Sequence, residues 1–184
     1  MKTNAIYDDV IKKYKHHNQI LFNRNSLSLQ PLINILNEQT HQILVLWVFE
    51  RVNEIVFQLD DNIKNDERIT DGIKAVHEWA KGHIKMPSAK KAILDIHAIA
   101  KEINHPAMKA KIHAIGQGLS TVHVKAHSLG LVIYELTSIV LVNGIDAFES
   151  DVSQKISHYI ETLKRAKKEL SHNNREWASF LQKE

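Results

Sequence analysis

No cysteine occurs among the 184 residues. That excludes a disulfide scaffold, a thiolate zinc site, an iron–sulfur cluster and cysteine nucleophile chemistry, and it fits a reducing cytoplasm, the compartment expected here. Six glycines and three prolines are too few for the many tight turns of a β-barrel or sandwich. Neither charge sign is in large excess. Twenty-four Lys and Arg against 21 Asp and Glu leave a net charge of +3, too little to argue for a nucleic-acid partner. Long apolar runs are also missing. Of the longest, Ile43–Phe49 and Leu129–Val142, the second is about 14 residues and carries Glu135, short of the roughly 20 that span a bilayer. No membrane partner is expected. The stretch MKTNAIYDDVIKKYKHH lacks an apolar core and a small-residue cleavage site, so no signal peptide is expected either. A glycine-rich phosphate loop, a GxSxG elbow and an HExxH signature are all absent.

What is present is helical periodicity. With 43% hydrophobic and 24% charged residues, the composition is that of a folded globular chain rather than a disordered one. Tyr7, Val10, Ile11 and Tyr14 mark a first helix, over about residues 4–16, followed by a polar loop from His16 to Ser28. From Pro31 a helical pattern runs through Leu36, Ile43, Trp47 and Ile55 to Leu59, uninterrupted by proline, and ends in the polar stretch Asp60–Asp66. Asp66 suits the N-cap of the next helix and Gly82 its C-terminal stop. Met86-Pro87 opens a further helix, which His105-Pro106 separates from its successor. That successor continues on spacings of three and four to Val142, with a bend near Ser120-Thr121 and a stop at Asn143-Gly144. A last helix and a tail occupy about residues 146–184. The tail from Asn173 carries Trp177, Phe180 and Leu181, which need a cover from this chain or a second copy. The expectation is an all-α fold, residues 1–184 forming a single-domain bundle of six to seven helices. The segments IHAIA and IHAIG repeat at an offset of 16 residues, read as two antiparallel helices of similar core composition.

The most informative stretch is Gly116–Tyr134. In a continuous helix, Gly116, His123, His127, Gly130 and Tyr134 would share one stripe, with Ser120 beside it. Histidines at i and i+4 can share a metal ion, and His97 or His113 could add a third ligand from another helix, but two ligands do not make a zinc site. Structural histidines bonding neighbouring helices are the plainer reading, and no metal or cofactor is assigned; His123, His127 and His97 are the candidates if one binds. Glu50 and Glu54, one turn apart, could run acid–base chemistry, but a salt bridge to Arg51, a lysine or a histidine explains them. His77-Glu78-Trp79 reads as helix-end packing. The cluster Lys164, Arg165, Lys167 and Lys168, and another at Lys12, Lys13 and Lys15, read as solvated faces rather than phosphate sites. No residue is assigned a catalytic role.

The segments LWVFERVNEIVFQL, DERITDGIKAVHEWAKGHIK and AKKAILDIHAIAKEINHPAMKAKIHAIGQGLSTVHVKAHSLGLVIYEL resemble, in that order, the immunity protein family of bacterial polymorphic toxin systems. The resemblance spans about residues 40–140. It rests on a tryptophan helix leading into an acidic segment, on Trp79-x-x-Gly82, on His97 in an alanine-bearing helix, and on Gly116 followed by His123-Val-x-x-His127-x-x-Gly130 and Tyr134. Glu176-Trp177 resembles that family's end. Ile, Leu and Val stand where alanine-rich helices are usual, and Ile69-Thr70 replaces an arginine–proline pair. The resemblance implies an all-helical protein that binds and neutralises a toxin without chemistry of its own, with Trp79, His97, Gly116, His123, His127, Gly130 and Tyr134 as the residues to examine for ligand or partner binding. The alternative is a metal- or ligand-binding helical protein or enzyme using His123 and His127. A homo-oligomer remains open.

Overall fold

Two of the expected long helices are divided, each beside a hydroxyl side chain. The computed structural model describes residues 5–172 and 175–183. Among these it has nine α-helices, three short 3-10 turns and no strand. The helices are α1 (Asp8–Lys15), α2 (Gln30–Asn37), α3 (His41–Phe57), α4 (Asp61–Lys64), α5 (Glu67–Lys81), α6 (Met86–Glu102), α7 (Pro106–Ser120), α8 (His127–Asn143) and α9 (Glu149–His172). The all-helical class is therefore found, while the count of six to seven is corrected to nine. The expected helix from Pro31 to Leu59 divides because Thr40, with extended backbone angles, caps α3 by accepting from the Ile43 N–H at 3.4 Å. The pattern that ran to Val142 divides at Thr121–Ala126. There the Ser120 hydroxyl bonds back to the Gly116 carbonyl at 2.8 Å and Val122 is fully buried in the turn. The polar stretch after Leu59 also holds the single turn of α4.

The punctuation residues act as read. Asp66 accepts from the Arg68 N–H at 2.9 Å. Gly82 sits at φ +87°, so that Gly82 and His83 donate to the Trp79 and Glu78 carbonyls, the left-handed C-cap for which glycine is suited. Pro106 opens α7 behind the cap His105.

Successive helices return on one another. Arg68 meets Glu102 and Gly72 meets Ile96, which makes α5 and α6 antiparallel. His113 against Tyr134 and Gln117 against Gly130 do the same for α7 and α8, which share the most extensive helix–helix contact among the described residues. Glycines let these two helices approach closely. Helix α3 lies across α7 and α9, its Trp47 indole N–H donating to Thr162 Oγ1 at 2.9 Å. Trp47, Ile55, Ile96, Ile112, Ile115, Leu119 and Leu136 are wholly buried in one continuous core. Each such side chain contributes about 1.5–3 kcal/mol by leaving water.

Two coverings were not legible. The loop read as polar buries Leu21 and Phe22, and the Leu21 N–H donates to Thr137 Oγ1 at 3.1 Å on α8. The tail folds back on its own chain: the Ala178 N–H donates to the Ala80 carbonyl at 2.8 Å, Leu181 is buried, and Phe180 lies 5.7 Å from the Trp79 ring. Of the expected first helix, residue 4 lies outside the described residues, as do Asn173, Asn174 and Glu184 of the tail.

Candidate functional site

The repeat IHAIA/IHAIG places His97 on α6 and His113 on α7, facing each other across the antiparallel pair. Their Nδ1 atoms lie 2.9 Å apart. One ring must donate and the other accept, so the pair is bonded only while at least one Nδ1 is bare. Burial and the neighbouring His113 and His127 hold the His97 pKa down to about 4. Burial, then Lys109, lowers that of His113. Gly116 makes room for the His97 ring: a Cβ there would stand 2.4 Å from its Cε1 and Nε2. Tyr134 reaches His113 from α8 with ring centres 5.2 Å apart.

The single stripe expected for Gly116, His123, His127, Gly130 and Tyr134 does not exist, because the chain leaves the helix between Ser120 and His127. The structure separates these residues into three places. His97, Gly116 and Tyr134 gather around His113. His127 donates from Nδ1 to the Gln117 Oε1 at 2.8 Å, and Gln117 in turn fills the space above Gly130. Exposed His123 stands 6.1 Å from Trp79, near the tail. The small residues thus admit the chain's own side chains. No group of three or more His, Asp or Glu side chains among the described residues is arranged to hold a metal ion.

The first of these places opens into a cavity of about 710 Å³ between the segment after α1, α6, α7 and α8. His97, His113 and Tyr134 line it with His17, Lys101 and Lys109, over walls that include Tyr14, Ala100, Ala110 and Leu141. Sequence reasoning missed Tyr14, His17, Lys101 and Lys109, which stand on segments that only the fold brings together. The repeated histidine was the one available signal.

The carboxylates of α3 are consumed elsewhere. Arg51, fully buried, lies 2.9 Å from Glu50 and 2.5 Å from Glu54. Arg165 also pairs with Glu50, and His158 Nε2 touches both Arg51 and Glu54. A single ring nitrogen can accept from Arg51 or donate to Glu54, not both, so the tautomer of His158 decides its partner. Buried Glu135 accepts from Tyr159 at 2.8 Å and pairs with Lys155 at 2.5 Å. Burial and Glu135 push the Tyr159 hydroxyl well above the ordinary tyrosine range. This network between α3, α8 and α9 balances its charges internally, as expected of structural ion pairs.

Neither a curated protein nor a solved structure matches the chain. The sequence profile described as Imm-5 like putative immunity protein matches residues 34–162, a span that takes in α3 to α8, the first 14 residues of α9, the histidine pair and the Arg51 network apart from Arg165. The chain belongs to that immunity protein family.

Proposed function

We propose that this protein binds a toxin of a bacterial polymorphic toxin system and neutralises it by occupying it, in the cytoplasm of the cell that makes both. The observation that carries this reading is the family match over residues 34–162, which supports an immunity-type role and a protein partner. The interior chemistry is compatible with it. The acidic side chains of α3 and α8 are engaged in ion pairs with Arg51, Arg165 and Lys155, and the histidine cavity is lined by bases and cations with no carboxylate among the described residues.

The test is growth. The product of the reading frame beside this one is expressed in a laboratory bacterium alone and with this chain. The proposal expects arrest in the first case and restored growth in the second. Growth arrest that this chain does not relieve would overturn it.

A further inference from the structure

We propose that the cavity between α6, α7, α8 and the segment after α1 binds a small organic anion, a carboxylate or phosphate carried on an apolar body of about aromatic size. Two observations converge on it. Its volume of about 710 Å³ lies within the range of small-molecule pockets. Its charged lining is of one sign: Lys101 and Lys109 border it, neither forms an ion pair among the described residues, and no Asp or Glu lines it. A second cleft, about 450 Å³, mixes the signs: Glu135 and Asp151 line it with Lys111, His158 and Lys155, the last already paired to Glu135. The contrast matters because unpaired cations facing a shared space concentrate anions.

The details suit an anion further. The cavity wall includes Asn104 and Pro106 at the start of the 15-residue helix α7, and then Lys109, Ala110 and His113 along the flank of that helix. The His97–His113 pair uses one N–H and one lone pair between the two Nδ1 atoms. The neutral pair therefore always keeps one Nε2–H donor and one bare Nε2. Apolar walls from Ala100, Ala110 and Leu141 provide the seat for the ligand's body. The proposal is independent of the toxin reading, and growth rescue neither supports nor removes it.

The full chain is titrated with phenyl phosphate, benzoate, inorganic phosphate, phenol and benzylamine, following the melting temperature and the imidazole proton signals of His97 and His113. Phenyl phosphate or benzoate is expected to raise the melting temperature by several degrees in a saturable way and to move the His113 signals. The better of the two identifies the headgroup. Phenol and benzylamine are expected to do neither. Lys101→Gln with Lys109→Gln, two substitutions outside the core, should leave the unliganded melting temperature in place and weaken binding at least tenfold. Three results would overturn the proposal: no saturable shift with either aromatic anion, an equal shift with benzylamine or inorganic phosphate, or undiminished binding in the doubly substituted chain.

Discussion

The Nδ1 atoms of His97 and His113 are held 2.9 Å apart by two helices that share the four residues IHAI. A hydrogen bond at this distance joins two neutral rings or one neutral and one charged ring, and fails when both are charged.

Stability should therefore fall in mild acid. The folded state holds His97 down to about 4 and lowers His113, His127 and His77, in each case chiefly by burial. Unfolded histidines take up protons near pH 6.5. Their contribution is thus fully present above about pH 6.5 and is lost as pH falls towards 4. His83, raised by Glu78 and Glu176, acts in the opposite sense but is exposed and screened. The melting temperature is expected to drop by several degrees between pH 7.5 and 5, and His97→Gln should flatten that slope. A pH-independent melting temperature would show that the rings are not held neutral.

Gly116→Ala tests the packing behind the pair. The added methyl would lie 2.4 Å from the His97 ring, and the ring is confined by His113 on its other edge. The expected cost is about 1–3 kcal/mol, with loss of the His97–His113 coupling in imidazole proton spectra. Full stability with the coupling intact would mean that the ring can move freely.

Arg51→Ala removes the centre of the α3–α9 network. Glu50 and Glu54 remain about one-third exposed and can hydrate, so the cost should fall below that of a fully buried orphan charge, at about 2–3 kcal/mol. Thermal unfolding should shift down by roughly 5–10 °C. A change under 2 °C would show that the buried guanidinium contributes little net stability.

The order of helices and their stops was legible because few residue types set them. Asp66, Gly82, His105-Pro106 and Asn143-Gly144 each do locally what their chemistry favours. The break at Thr40 was not legible and the one after Ser120 was legible only as a bend near Ser120-Thr121, since apolar periodicity continues across both. The second break also dispersed the predicted stripe: His123 and His127 belong to a turn and a helix start. The face-to-face histidines were half legible, because the repeat marks equivalent positions and says nothing of which helix faces would meet. The cavity's lysines were illegible, since an unpaired lysine on a polar face looks like any other until a cavity forms beside it.

His17 predicts an effect in the stabilising direction. It occupies the left-handed region at φ 56°, where the Asn18 N–H donates to the Lys13 carbonyl at 3.0 Å and its own N–H to Tyr14 at 2.9 Å. This is the same cap that Gly82 makes for α5. A side chain costs about 1–2 kcal/mol in that region, and glycine's greater freedom when unfolded returns part of it. His17→Gly should therefore raise stability by roughly 0.5–1 kcal/mol, measured by denaturant titration. A loss of stability would show that the His17 side chain itself stabilises the cavity rim.

The immunity reading stands or falls on one complex. This chain and the product of the adjacent reading frame, purified separately and mixed, are weighed by light scattering during size exclusion, and metal content is read on the same peak. The account predicts one equimolar complex that survives at nanomolar concentration without stoichiometric metal. Two proteins eluting apart, with metal bound to this chain alone, would contradict it and turn attention to the histidines as ligands.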